Sequence, residues 1–208
     1  ITFTTGAIAL ANGSNLVIDT GDASGGNITV GEIAGTSVET VTLDAGTGTT
    51  SVGVIGSGTE IGAVTIGSSD NGAITLNGAI TTDGAVTIDG PVTLGANITV
   101  TTADDAITFN HKIDGTQSLT LESGSAAITL DGVIGGDAIL TGLSVNATDG
   151  DGSNTGTIEI TDIGDAGGVG VNTGTISIGN ANTATLTLDG TTYKTDGVTA
   201  VSYTHLTL

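Results

Sequence analysis

The chain has 208 residues, of which 36 are Gly, two are Tyr and two are Phe, with no Trp, Met or Cys. A broad packed core needs large side chains, so this composition excludes one and predicts a narrow core of Ile, Val, Leu and Ala; the abundance of those aliphatics also excludes a disordered chain. Twenty-two acids against Lys112 and Lys194 give a net charge of −20, which excludes recognition of nucleic-acid phosphates and disfavours anionic membranes.

Apolar pairs begin at once, at Ile1/Phe3 and Ile8/Leu10. The chain therefore opens inside its own pattern, which reads as an internal cut. The pattern is an apolar–Thr–apolar triplet or a close variant. It recurs at Ile28/Val30, Val41/Leu43, Val64/Ile66, Ile74/Leu76, Val86/Ile88, Ile107/Phe109, Leu119/Leu121, Ile128/Leu130, Ile158/Ile160, Ile176/Ile178 and Leu186/Leu188. Residues i and i+2 of a strand share a face. Each triplet thus predicts a short strand with two residues inward and its middle residue outward, a setting that suits β-branched side chains. Asn-Gly, Asp-Gly, Gly-Gly and Ser-Gly between triplets predict turns. No helical period and no run of about 18 apolar residues is present, so no membrane-spanning helix is predicted.

A longer module sits above the triplet. Residues 27–43, 106–121 and 127–145 each read as a triplet, a lone Ile, a Gly turn and a second triplet. The second triplet starts at 41, 64 and 86, and later at 119 and 143. A period in the low twenties with three short strands per period predicts an all-β chain, a parallel β-helix with coils of about 21–24 residues. A right-handed coil is the favoured form. Within 73–100, aliphatics fall every six residues at Ile74, Ile80, Val86, Val92 and Ile98, with Gly78, Gly84 and Gly90 at the corners. That hexapeptide spacing keeps a left-handed β-helix as the alternative. The polar stretch 147–156 predicts an outward loop.

These repeats, above all 104–145 and 72–100, resemble those of giant bacterial exoproteins: filamentous-haemagglutinin-like adhesins that are two-partner-secreted or autotransported. The resemblance covers residues 1–197 and implies a secreted or surface-displayed shaft with a structural or adhesive role. No functional residues carry over. Residues 198–208 fall outside the repeat, and 201–208, VSYTHLTL, resemble a translated sequencing adapter at the end of a metagenomic fragment. On that reading Tyr203 and His205 belong to no site, and both solenoid ends are bare strand ladders that favour end-to-end self-association. A host-cell, matrix or glycan receptor is the expected partner, of unspecified identity.

Side chains that could carry chemistry are few. Nucleophilic catalysis needs Ser or Cys with a His base and an acid, and the repeat body has one His, His111, in a turn. One His makes no transition-metal site. Asp104–Asp105 is the adjacent acid pair that glycoside hydrolysis would need, but no Arg or Trp is present to hold a sugar. Asp149, Asp151 and Ser153 stand at i, i+2 and i+4, like the first ligands of an EF-hand loop. Asn154 and Ile160 then occupy the places of the Gly and the bidentate Glu, so the stretch reads as an Asx-rich loop. Asn-x-Ser/Thr at Asn12, Asn27, Asn97 and Asn146 reads as chance. The reading assigns no catalytic residue, cofactor site or metal site and is non-enzymatic. A polysaccharide-acting β-helix enzyme and a calcium-dependent surface-layer or matrix protein are the alternatives.

Overall fold

The computed structural model describes residues 1–21, 24–36, 38–147, 154–165, 167, 170–171 and 176–195. These residues form twenty strands and no helix. Every strand pairing is parallel. The chain is a parallel β-solenoid with three faces. The loop residues Asp149, Asp151 and Ser153, and the tail 198–208, lie outside the described residues.

On one face Ile28, Thr50, Ile74, Val92, Ile113, Ile134 and Ile163 stack in register. The next face stacks Ile8, Ile33, Ile55, Ile80, Val100, Leu121, Val145 and Ile178. The third stacks Leu16, Val41, Val64, Val86, Ile107, Ile128, Ile158 and Leu186. One continuous cluster of buried aliphatics, with Phe109 its one aromatic member, runs through the coils. Each buried Val, Leu or Ile contributes about 1.5–3 kcal/mol. No single coil can bury these side chains; the coils above and below do it.

The triplets behave as their period requires. In Val41–Asp44, Val64–Gly67 and Val86–Asp89 the aliphatics are buried and the Thr between them is half-exposed. Some strands are long enough to turn a corner. Ile128–Ile134 pairs through Ile128–Leu130 on one face and through Ile134 on the next, with a register break between Leu130 and Val133.

Coil length departs most from the expected 21–24 residues in two enlarged coils and one short one. On the third face the steps from Val41 to Val64, Val86, Ile107 and Ile128 are 23, 22, 21 and 21 residues. The steps to Ile158 and then Leu186 are 30 and 28. The first of these contains the stretch 147–156; the second is a further enlarged coil that the repeat pattern did not signal. The hexapeptide stretch closes one short coil, because Ile74 pairs with Val92, eighteen residues on. Ile80 then pairs with Val100, not Ile98, so the six-residue rule ends there. Gly78, Gly84 and Gly90 serve by close approach: a Cβ at these positions would lie 2.6, 2.6 and 2.5 Å from backbone atoms of the preceding coil.

The module also changes phase. In 27–43 its three stations, Ile28, Ile33 and Val41, occupy the first, second and third faces. In 106–121 the equivalent stations, Ile107, Ile113 and Leu119, occupy the third, first and second. The faces are chemically alike, so one sequence pattern can start on any of them.

Candidate functional site

The polar side chains that the sequence singled out are dispersed along the solenoid. His111 Nε2 lies 3.2 Å from Asp89 Oδ1, on the preceding coil, and both side chains are about a third exposed at 32% and 29%. The turn at His111 packs on Gly132, where a Cβ would sit 2.2 Å from the His111 carbonyl carbon. Asp104 takes a left-handed backbone, φ 64°, and its Oδ1 accepts the Ser125 N–H of the next coil at 2.8 Å. Asp105 contributes its backbone carbonyl, which accepts the Thr102 hydroxyl. The adjacent acids therefore hold a turn. Among the Asn-x-Ser/Thr positions, Asn12, Asn27 and Asn97 are exposed and Asn146 is fully buried.

Polar groups instead meet across coils. Glu39 is fully buried. Its Oε1 accepts the Thr36 hydroxyl and, at 3.0 Å, the Gly13 N–H; its Oε2 accepts the Thr36 N–H at 2.6 Å. Its own carbonyl accepts the Gly62 N–H at 2.8 Å. One residue thus ties three consecutive coils. The Thr36 hydroxyl, then the Thr36 N–H, favour the ionised carboxylate and hold its pKa down at about 2, against the opposing effect of burial. Asp114, also buried, repeats the device on another face. Its Oδ1 accepts the Asp137 and Ala138 N–H groups at 2.9 and 3.0 Å. Lys112 Nζ lies 3.2 Å from Asp114 Oδ2 and also contacts the Asp137 carboxylate. Asp137 first, then Asp114, push the Lys112 ammonium above its ordinary range.

A ladder of buried polar groups runs up the corner after the second face. Thr82 and Thr102 stack in register. Thr82, Thr102 and Ser123 each donate a hydroxyl hydrogen bond to a carbonyl two or three residues on, at Gly84, Asp105 and Ala126. The ladder then changes to amides. Asn146 Oδ1 accepts the Ser123 N–H at 2.8 Å and Asn146 Nδ2 donates to Ser123 Oγ at 3.0 Å. Asn180 Nδ2 donates to the carbonyls of Asn146 and Asn154, each at 3.0 Å. It pins together the two ends of the polar insertion. On the outer surface, Asn15, Asn27 and Asn97 accept N–H groups of Thr40, Thr49 and Ser118, each one coil on, at 2.9, 3.1 and 3.1 Å.

This arrangement satisfies backbone groups that a turn would otherwise leave unpaired. Most of these oxygens already accept an N–H, which disfavours proton transfer to a ligand. A shallow cleft of about 250 Å³ does carry Asp104, Glu122 and Asn154 together, but Asp104 holds Ser125 and Glu122 Oε2 accepts Asn154 Nδ2 at 2.7 Å. Among the described residues no three His, Asp or Glu side chains gather as a metal-ligand set.

The buried polar ladder was missed in the sequence, although a signal exists. A polar residue stands two places after the last aliphatic in Ile80–Thr82, Val100–Thr102, Leu121–Ser123 and Ile178–Asn180. The period of two continues, so that polar residue also points inward. Set against protein-family models, curated proteins and solved structures, the chain matches none, so its fold is established by the strand registers.

Proposed function

We propose that the chain is a shaft segment of a secreted or surface-displayed bacterial exoprotein, non-catalytic, with a structural and adhesive role. The observation that carries this reading is the engagement of buried polar groups by neighbouring coils. Glu39, Asp114, Asn146 and Asn180 all serve the stack. A solenoid built so presents repeated outward Thr and acidic side chains and keeps its chemistry inside. Its net charge of −20 keeps a long strand array soluble. Adhesion then rests on the repeated surface and on contacts at many coils, each weak, which sum through multivalency.

One assay separates this reading from its competitors. The purified chain is applied to an array of glycans and matrix proteins, with and without calcium, and read for retention and for release of reducing ends. Retention without cleavage, unchanged by calcium, supports the adhesive shaft. Release of reducing ends would establish the polysaccharide-acting enzyme instead. Retention or assembly that needs calcium would establish the matrix protein.

A further inference from the structure

We propose that Asn71–Gly72 is a modification site, at which water converts the asparagine to aspartate or isoaspartate without an enzyme. The chain has three Asn-Gly pairs, beginning at Asn12, Asn71 and Asn77. A glycine after asparagine leaves its amide nitrogen open to the side-chain carbonyl carbon, because no Cβ shields it. All three asparagines are exposed, so exposure does not rank them. Their contacts do. Asn77 is tied to the coil before it. Its Nδ2 donates to Ser51 Oγ at 3.0 Å and its N–H to the Val52 carbonyl at 2.7 Å. Its Oδ1 faces the next coil, 2.2 Å from where a Cβ of Gly95 would sit. At Asn12 the nucleophile itself is engaged, because the Gly13 N–H donates to Glu39 Oε1 at 3.0 Å.

Asn71 has neither restraint. Its Nδ2 donates to the Ser69 carbonyl and its N–H to the Ser68 carbonyl, each at 3.1 Å and both inside its own turn. Among the described residues no hydrogen bond joins Asn71 to another coil or engages the Gly72 N–H. The turn is anchored on either side of it. The Ser68 hydroxyl donates to Asp44 Oδ1 at 2.9 Å, and Gly72 packs on the Gly46 and Gly48 carbonyls. Rotation of the Asn71 side chain toward Gly72 therefore undoes no coil. Base takes the Gly72 amide proton, and the nitrogen attacks Asn71 Cγ. The Cγ–Nδ2 bond breaks, and Nδ2 leaves as ammonia with a proton from water. Water then opens the cyclic imide at either carbonyl, giving aspartate or isoaspartate. Isoaspartate carries the chain through Cγ and so adds a backbone carbon just before Gly72. There is no room for it: a Cβ on Gly72 would lie 2.3 and 2.5 Å from the Gly46 and Gly48 carbonyl oxygens. The modified turn lifts off the turn at 46–48, and the stack loosens at that coil.

The test incubates the folded 208-residue chain at neutral and mildly alkaline pH. Peptide mapping by mass spectrometry follows amide loss at each pair, and enzymatic methylation of isoaspartate identifies the product. Asn71 is expected to convert about tenfold faster than Asn77, the factor that one or two hydrogen bonds between coils supply, and faster than Asn12. In urea the three rates converge, because only the fold separates them. Ser51→Ala speeds Asn77 and leaves Asn71 unchanged. In the isoaspartate form, hydrogen exchange rises at 44–48 and 72–76 while distant coils keep their protection. The proposal is overturned if Asn71 is no faster than Asn77 or Asn12 in the folded chain, or if the same ranking persists in urea. It is equally overturned if Ser51→Ala leaves Asn77 as slow as before, or if exchange around 46–48 does not change on conversion.

Discussion

Phe109 tests how the core is held. It is fully buried, and in register it lies between Ile88 of the coil before and Leu130 of the coil after. Phe109→Ala removes most of a side chain from a column whose neighbours are fixed by their own strand pairing. Such a site collapses poorly, so the cost falls at about 3–5 kcal/mol, the range for truncating a buried aromatic. That is a large share of the stability of an ordinary domain, about 5–15 kcal/mol. Phe109→Leu places there the same residue type that occupies the next station, at a cost under about 1.5 kcal/mol. Urea denaturation followed by circular dichroism gives the two differences. Hydrogen exchange locates them, with protection falling first at residues 86–89, 107–109 and 128–130. The reasoning is refuted if Phe109→Ala is as stable as the parent. It is equally refuted if Phe109→Leu costs as much as Phe109→Ala, since volume would then not be what matters there.

Glu39 sets an acid limit. Its folded pKa of about 2 lies below the ordinary 4.5, so the stability it confers is complete above pH 4.5 and is lost as pH falls through about 2; melting temperatures between those values should fall more steeply for the parent than for Glu39→Gln. Asn180→Ala leaves the carbonyls of Asn146 and Asn154 without their shared donor, at a cost of about 1–3 kcal/mol, measured in urea; a neutral result would mean that water replaces the amide. Ile128→Asp puts an unpaired charge in a fully buried station, costing several kcal/mol. The coils of Ile107 and Ile158 should open first, and uniform hydrogen-exchange protection in that variant would contradict it.

The strands were legible because their signal is local. Each triplet from Ile28/Val30 to Leu186/Leu188 lies in a strand, since a period of two with β-branched residues admits little else. The phase of the stack was not legible. Ile28 and Ile107 open the same motif on different faces, and only pairing between coils fixes which. The enlarged coil between Ile158 and Leu186 was hidden because Gly-rich turns vary in length without disturbing the triplets they join. The polar ties were hidden for a different reason. Glu39 and Asp114 read as surface acids in a chain with 22 of them. What buries them is the position of N–H groups on other coils, at Gly13 and at Asp137 and Ala138. Thr82 and Thr102 lie one station beyond the last aliphatic of their strands, where only the continued period of two marks them as inward. Asn180 required the structure, since its partners lie 34 and 26 residues away in the chain.

The central claim is that coils are equivalent units held by their neighbours in register. Excising residues 86–106 tests it most directly. Val86 and Ile107 are register partners, so the cut joins Ala85 to Ile107 and removes one whole coil of 21 residues. Ile107 then takes the place of Val86 on Val64, and Ile113 takes the place of Val92 on Ile74. The matching control removes 86–96, half a coil, and leaves the later stations out of phase with the earlier faces. Circular dichroism and thermal melting of both deletions give the answer. The account predicts that the 86–106 deletion folds cooperatively with the parent's strand signal, while the 86–96 deletion loses it. Equal folding of the two, or failure of the register-matched deletion alone, would contradict it.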